Sequence, residues 1–331
     1  MNTYKSIPKI SIKSVDFSSL FTLTGLILII TLLLSFPDAV KNSVLKSLTL
    51  CTDVLIPSLF PFMVIGEVFF SSGAANTLGK IIGKPFKRIF SISEAGVGAF
   101  LLGAVCGLPL GGKYALTLYS SGSISKEECE RLMGFSSNAG LGFVVIGVGK
   151  AIWGDLAFGW TLYLTQILSV IIVGAVLFRP QKTISIAPLT SNTVKKTITK
   201  STVEAVSSSA LNMLRVCAFV VIFGLISSFI TLACDFLALP PFFCAIISAL
   251  SEISYACNFL HTFSLTGSLY SAKILTFFAI TFSGLCAHSQ LSSMAIELNV
   301  SMKKYYCIRL TSAIFSVLLG SLICRFYPFY F

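Results

Sequence analysis

Apolar runs of about twenty residues recur along nearly the whole chain, from about residue 18 to 327. A run of that length matches the ~30 Å of hydrocarbon that one α-helix crosses in a bilayer. Charged side chains make up only 11% of the residues, whereas soluble domains carry roughly 25%. Because the bilayer core offers no water to backbone groups, and because the runs are continuous rather than alternating, they predict spanning α-helices. We therefore expect an all-α polytopic membrane protein surrounded by the lipid bilayer.

About seven of the runs are predicted to be spanning helices. They cover about 17–36, 54–71, 94–119, 156–178, 209–232, 240–259 and 304–326. Two other segments, about 131–150 and 273–294, are apolar but broken by polar residues or Gly. Their polar middles and the count of crossings predict two re-entrant hairpins, the first entering from outside and the second from the cytoplasm.

Basic residues between the runs predict the orientation, because Lys and Arg concentrate on the cytoplasmic side of a membrane. Four basic groups are placed in the cytoplasm: the N-terminus, Lys80 to Arg88, the linker after residue 179, and Lys303 to Arg309. The acidic segment 120–130 and the turn at Asp235 are placed outside. The N-terminus is therefore predicted to be cytoplasmic.

Between these anchors the order span, span, re-entrant hairpin, span occurs twice, with every direction reversed in the second copy. Such an inverted-topology repeat is the plan of many secondary transporters. The predicted parts are an N-terminal cytoplasmic segment with the first transmembrane helix, a first repeat, a cytoplasmic linker and a second, inverted repeat: 1–36, 37–178, 179–203 and 204–331.

The formal net charge of +11 would suggest a nucleic-acid partner in a soluble protein. Here it is explained by topology, and no nucleic acid is expected. Ten scattered cysteines and two histidines show no metal-binding spacing, so neither a metal nor another cofactor is predicted. The sequence contains no nucleophile elbow, Walker motif or Rossmann glycine run, and we do not expect an enzyme.

A lysine inside a predicted span is the strongest indication of a site, because a charge at the bilayer centre costs about 2.5–3.5 kcal/mol. Lys113 follows Gly107-Leu108-Pro109-Leu110-Gly111-Gly112, where Pro109 lacks a backbone donor and the glycines permit non-helical backbone. Such a break exposes N–H groups beside the ammonium and predicts an anion site. The alternative is that Lys113 reaches the membrane surface and the glycines only allow close packing.

Polar groups in the predicted hairpins and a carboxylate in a span complete the set of candidates. His288 is predicted to bind the substrate or to carry a proton, and the alternative is a purely structural role. Glu252 is interpreted as a binding or coupling group, and Glu67 as the partner of a basic residue such as Lys113 or Arg215. The predicted substrate-binding residues are Gly107, Pro109, Gly111, Gly112, Lys113, Ser137, Asn138, Gly140, Glu252, His288 and Gln290.

Three motifs follow one another along the chain: Ile56-Pro57-Ser58-Leu59-Phe60-Pro61-Phe62, then Gly107-Leu108-Pro109-Leu110-Gly111-Gly112-Lys113, then Glu130-Arg131-Leu132-Met133-Gly134-Phe135-Ser136-Ser137-Asn138-Ala139-Gly140. In order and spacing they resemble the YlbJ-type (SpoVV) sporulation integral membrane proteins of the nucleoside-recognition or Gate-domain superfamily. The chain departs from the family pattern at Gly112, Ser137 and Leu141, where the family usually has Ala or Ser, Asn and Pro.

The resemblance implies export of dipicolinic acid, a small pyridine dicarboxylate, across the outer forespore membrane during endospore formation. The residues themselves predict a secondary carrier or facilitated pathway for a small organic anion, with protons or sodium ions as open alternatives for coupling. Two other functions stay open. One is a cation-coupled nucleoside transporter in which Glu252 and Asn138 bind hydroxyls and base edges, and the other is a non-transporting membrane scaffold for spore assembly.

Overall fold

A computed structural model describes residues 17–177 and 198–326, and within these ranges the chain forms helices and turns without a β-strand. This confirms the all-α polytopic class. The first eight helices are α1 (Phe17–Ser35), α2 (Pro37–Leu50), α3 (Ile56–Ser71), α4 (Ala74–Phe90), α5 (Glu94–Cys106), α6 (Leu110–Ser120), α7 (Lys126–Ser136) and α8 (Leu156–Leu177).

The remaining helices are α9 (Ile198–Phe236), α10 (Pro241–Ser251), α11 (Ile253–Thr266), α12 (Leu269–Phe282), α13 (Gly284–Glu297) and α14 (Lys303–Phe326). Two segments are π-helical. Cys51–Leu55 joins α2 to α3, and Gly142–Ile152 follows α7. The N-terminal lysines, most of the predicted linker 179–203 and the aromatic C-terminal segment lie outside the described residues.

Five described helices are long and apolar enough to cross a membrane: Pro37–Ser71, Leu156–Val176, Thr202–Phe236, Leu269–Glu297 and Lys303–Phe326. Counting the bent pair of α4 and α5 as one span would make six. The helices expose many Leu, Ile and Phe side chains, such as Leu34, which is 77% exposed. Contiguous apolar surface of this extent indicates contact with lipid.

The molecule has two ends, which we name by the helices they carry. The α4 side contains α4 and the start of α14, where Lys304 Nζ lies 2.8 Å from Glu130 Oε2. The α2 side contains α2 and the end of α9, and there Gly224 of α9 faces the Ser47 hydroxyl.

The first re-entrant hairpin consists of α5 and α6, so the predicted position at 131–150 is wrong. α5 and α7 start on the same side, because Ser93 N donates to Glu128 Oε1 at 2.6 Å, and the interruptions that end both helices are in contact. α6 runs back along α7, since Cys129 Sγ donates to the Ala115 carbonyl at 3.5 Å. The predicted span 94–119 therefore returns to the α4 side, whereas α7 and Gly142–Ile152 cross the molecule.

The chain reverses at the Gly107–Pro109 break because of the backbone properties of Gly107 and Pro109. Gly107 has a φ of +83°, a left-handed value that glycine adopts without a Cβ clash. Pro109 donates no backbone hydrogen bond and precedes α6. Two half-helices of thirteen and eleven residues match one apolar run in length, so length alone did not distinguish a hairpin from a span.

The second hairpin is α10 and α11, and the predicted hairpin at 273–294 is wrong as well. α12 and α13 together form the candidate span Leu269–Glu297. α10 starts on the α2 side after α9, and α11 returns there, because its residues Asn258 and His261 share a cavity with Lys46 of α2.

The two halves repeat the same order in opposite directions. In the first half α3 runs to the α4 side, the hairpin enters from that side, α7 with Gly142–Ile152 crosses to the α2 side, and α8 returns. In the second half α9, the hairpin, the α12–α13 span and α14 follow with every direction reversed. The packing of the helices repeats as well. α3 packs on α9 and α8 packs on α14, so each of these helices contacts its counterpart in the other half. The contact of α7 with α14 corresponds to the contact of α12 with α8. These directions are those that an inverted repeat requires.

Two parts of the α4 side differ from the sequence prediction. The predicted loop is the helix α4, which lies at 89° to α5 and carries four exposed basic residues: Lys80, Lys84, Lys87 and Arg88. The segment 120–130 lies at this same end, since Arg131 Nη2 donates to the Ser91 carbonyl at 3.0 Å. Its predicted placement on the opposite side is wrong, because the α5–α6 hairpin brings the chain back.

Candidate functional site

Four helix interruptions meet in the middle of the molecule, two from each half. In the first half a Cβ on Gly107 would lie 2.5 Å from the Gly140 nitrogen. In the second half a Cβ on Gly284 would lie 3.0 Å from the Ser251 carbonyl oxygen. The half-helices α6, Gly142–Ile152, α11 and α13 begin at this point, and α5, α7, α10 and α12 end there, so positive and negative ends of helix dipoles both lie at the centre.

A cavity of about 490 Å³, counted with the space at its mouth, lies between these interruptions. Each interruption contributes one part of its wall: Leu108, Gly140, Glu252 and Ser283. Leu59 and Val216 add apolar surface, and Ser254 and Gln290 add polar groups. A largely apolar cavity with a few polar groups is typical of small-molecule sites.

Glu252 places a carboxyl group in the wall of this cavity. Its side chain is 1% exposed and caps the first turn of α11, where Oε2 accepts a hydrogen bond from Tyr255 N at 2.6 Å. Among the described residues, neither lysine nor arginine forms a salt bridge with it. A buried carboxylate without a cation is costly, so Glu252 is the described residue whose protonation matters most to the cavity.

Arg309 is a candidate that the sequence prediction missed. It is 0% exposed, and its guanidinium joins the two halves. Nη1 donates to Asn138 Oδ1 at 3.0 Å in the first half, while Nη2 donates to Ser283 Oγ at 2.9 Å and to the Thr281 carbonyl in the second. In the part of the chain that the structure describes, no carboxylate pairs with it. Since Ser283 lines the cavity, this cation lies one hydrogen bond behind the cavity wall.

The predicted cytoplasmic location of Arg309 is wrong. The residue lies in the second turn of α14, at the depth of the helix interruptions. A signal was present in the sequence, because Arg309 falls inside the predicted span 304–326, where an ionisable residue is a functional candidate by default. Because Lys303 and Lys304 lie close to it in the sequence, Arg309 is grouped with the basic residues that predict the cytoplasmic side.

A neutral side chain of α8 forms hydrogen bonds with the helix interruption that follows α7 in the first half. Gln166 is 0% exposed, its Oε1 accepts from Ala139 N at 3.1 Å, and its Nε2 donates to the Ala139 carbonyl at 3.0 Å. Asn138 Nδ2 also donates to the Phe135 carbonyl at 2.7 Å. The unwound backbone thus finds hydrogen-bond partners inside the protein, as membrane depth requires.

Lys113 lies outside the cavity and pairs with a carboxylate of the protein. Its Nζ is 2.8 Å from Glu67 Oε1, as predicted for Glu67. The same oxygen accepts from Ser208 Oγ at 2.9 Å and from Asn212 Nδ2 at 3.5 Å, both on α9. The group links α6 and α3 to the second half. Substrate binding by Lys113 stays a prediction, but its charge is already compensated here.

Lys113→Met should mainly lower stability. The pair is partly buried, with side-chain exposures of 29% for Lys113 and 13% for Glu67, so an unpaired Glu67 should cost about 1–3 kcal/mol of unfolding free energy. Thermal unfolding of Lys113→Met, Glu67→Gln and the double variant in detergent should give a coupling energy of at least about 1 kcal/mol. Additive effects together with lost transport would instead support binding of substrate by Lys113.

The structure brings three of the predicted residues into the cavity wall, Gly140, Glu252 and Gln290. Gly107, Pro109 and Asn138 lie in the interruptions beside it. Ser137 is buried there as well.

Three predicted residues have contacts outside the cavity. Gly111 packs on the Ser136 carbonyl, and a Cβ on Gly112 would lie 2.5 Å from the Leu291 side chain, so both glycines permit close packing. His288 is 2% exposed, and its Nδ1 is 2.6 Å from the Tyr305 hydroxyl. These contacts favour the structural alternative for His288. Among residues 17–177 and 198–326, no three His, Cys, Asp and Glu side chains are grouped closely enough to hold a metal ion.

Spanning helices and interrupted helices around a central cavity, arranged as two opposed halves, define a polytopic α-helical membrane protein built as an inverted repeat. The chain is 23% identical to the sporulation integral membrane protein YlbJ of Bacillus subtilis (strain 168) over 329 aligned positions, which cover 88% of this chain and 79% of that protein. This similarity confirms the predicted resemblance to YlbJ-type membrane proteins. No family model and no solved structure matches the chain, and the Gate-domain assignment stays a prediction.

Proposed function

We propose that the chain is a membrane transporter for a small organic anion, and that dipicolinic acid is its substrate. The similarity to a sporulation integral membrane protein supports a membrane role in sporulation, and we place the protein in the outer forespore membrane. In this proposed function the protein is a carrier rather than an enzyme. Its substrate and a coupling ion are the small-molecule partners.

The observation that carries the proposal is the electrostatic character of the centre. The buried guanidinium of Arg309 lies behind the cavity wall without a carboxylate partner among the described residues. An uncompensated buried cation favours a negatively charged ligand. The apolar wall formed by Leu59, Phe143 and Val220 suits a planar ring.

The two opposed halves support alternating access around a fixed central site. The α4 side carries Lys80, Lys84, Lys87, Arg88, Lys303 and Lys304, so we place it in the cytoplasm by the positive-inside rule. We take α1 as a further span, which places the N-terminus in the cytoplasm too, because the next helix starts on the α2 side.

A cation-coupled nucleoside carrier is the second candidate, and one observation favours it. The polar groups of the cavity wall are a carboxyl, an amide and hydroxyls, from Glu252, Gln290, Ser254 and Ser283. Such groups bind sugar hydroxyls and base edges. The guanidinium behind the wall has no role in this alternative.

Uptake into proteoliposomes separates the candidates. The purified chain should accumulate labelled dipicolinate above protein-free vesicles, and excess unlabelled dipicolinate should compete, while labelled uridine should stay at background. Uptake of uridine without dipicolinate would establish the nucleoside carrier and refute our proposal. Uptake of neither, by protein shown to be folded, would favour a membrane scaffold.

A further inference from the structure

A second, wider cavity, with about 800 Å³ of space counted together with its mouth, opens on the α2 side. We call it the vestibule. Its wall contains polar and charged side chains from the helix Pro37–Ser71 and from α11, and none of them belongs to the predicted site: Lys46, Thr49, Asp53, Asn258 and His261. A polar recess of this size inside a helical membrane protein indicates access for water.

The same three elements line the vestibule and the central cavity, and each of them passes from one cavity to the other along its length. The helix Pro37–Ser71 contributes residues up to Val54 to the vestibule and Leu55 and Leu59 to the central cavity. α11 contributes Glu252 to Ser254 to the central cavity and Asn258 and His261, one to two turns further on, to the vestibule.

The third element, the π-helical segment Gly142–Ile152, shows the same order. Phe143, near its start, lines the central cavity, and Ala151 and Ile152, at its end, line the vestibule. Three walls that pass from one cavity to the other in the same direction place the two cavities one above the other along a single axis.

We propose that the vestibule is the entrance through which the small organic anion passes between the α2 side and the central cavity. This inference rests on the proposed transport function and adds the route and its sidedness. Tyr255 lies on α11 between Ser254, which lines the central cavity, and Asn258, which lines the vestibule. Lys46 Nζ stands 4.8 Å from the centre of the Tyr255 ring, a cation–π distance. The anion therefore passes a positive group in the wall of the vestibule.

Asp53 is the carboxylate of the vestibule, and its Oδ1 accepts a hydrogen bond from the Thr52 hydroxyl at 2.8 Å. Lys46 and Asp53 have opposite charges, and His261 completes the titratable groups of the wall. With α4 in the cytoplasm, the vestibule opens on the non-cytoplasmic face.

The test places one cysteine in the vestibule and one beside it on the same helix. Cys307 is the exposed cysteine among the ten, so Cys307→Ser provides the background in the full chain. Asn258→Cys lies in the vestibule wall. Thr262→Cys, one turn further along α11, is exposed and does not line the vestibule, and it is the matched control.

A membrane-impermeant, negatively charged methanethiosulfonate reagent should modify Asn258→Cys from the non-cytoplasmic side alone. Modification should lower dipicolinate uptake at least about tenfold by filling the path, whereas modified Thr262→Cys should keep uptake within about twofold. Lys46→Gln should slow modification of Asn258→Cys by this anionic reagent about threefold, the effect of one unit charge a few ångströms away in water. Lys41→Gln, exposed on the same helix, should leave the rate unchanged.

Full dipicolinate uptake after complete modification of Asn258→Cys would overturn the inference while leaving the transport proposal intact. If the parent protein transports no dipicolinate, the transport proposal fails by itself. The route is then tested by labelling, because Ser254→Cys in the central cavity should react only from the side on which Asn258→Cys reacts. Reaction of Ser254→Cys from the α4 side alone would refute the route.

Discussion

Arg309→Gln should lower the free energy of unfolding by about 3–5 kcal/mol and abolish anion uptake. The substitution removes the buried cation and leaves Asn138 Oδ1, Ser283 Oγ and the Thr281 carbonyl without their donor. Each unsatisfied buried group costs about 1–3 kcal/mol, and the two halves lose their common partner. Thermal unfolding in detergent and dipicolinate uptake into proteoliposomes measure the two effects.

Arg325→Gln is the matched control, since Arg325 is exposed near the end of the same helix. It should change the unfolding free energy by less than about 0.5 kcal/mol. Arg309→Lys should fall between Arg309→Gln and the parent protein, because an ammonium keeps the charge but cannot reproduce the planar geometry that reaches both halves. Parent-level stability and uptake in Arg309→Gln would contradict this account.

Glu252→Gln should leave the fold intact and uncouple transport from protons. The amide oxygen can still accept the hydrogen bond from Tyr255 N, so the helix cap persists and stability should change by less than about 1 kcal/mol. An ionised Glu252 and a substrate carboxylate about 5 Å apart would repel by about 3 kcal/mol at an effective dielectric constant of about 20. The carboxyl must therefore be protonated while the anion is bound, and a permanently neutral amide removes that requirement.

The measurement is uptake at several external pH values under an imposed proton gradient. The parent protein should accumulate dipicolinate about tenfold or more when the gradient favours protonation of Glu252, and Glu252→Gln should only equilibrate it at a rate independent of pH. Glu297→Gln, exposed at the end of α13, should behave like the parent. A pH dependence that survives in Glu252→Gln would show that another group carries the proton.

The positions of the helix interruptions could be predicted from sequence, but their roles could not. Gly107 and Pro109 predict a break in the helix because of their backbone chemistry. Asn138 and Glu252 indicate polar groups at membrane depth. Whether a broken run crosses or returns depends on contacts with distant residues, such as Ser93 with Glu128. Such pairings leave no periodic signal, and the sequence therefore predicts the hairpins in the wrong segments.

The roles of the charged residues at the site could not be predicted from the sequence either. Lys113 and Arg309 are both basic residues inside apolar runs, and the sequence favours Lys113 because glycines and a proline precede it. In the folded chain Lys113 meets Glu67, whereas Arg309 meets Asn138 and Ser283. Which buried cation lacks a carboxylate is decided by tertiary packing, and a single sequence does not contain that information.

The unequal contributions of α8 and α14 to the centre have a consequence for the resting protein. In a molecule with perfect two-fold symmetry, the conformations open to either face would have the same free energy. Here α8 brings the neutral Gln166 to its own half, while α14 brings the charged Arg309 to both halves. The two conformations therefore differ in how well one fixed charge is solvated, and each 1.4 kcal/mol of that difference is a tenfold bias in population. The unloaded protein should thus rest open to one face, with the bias built into a single hydrogen-bonded arginine.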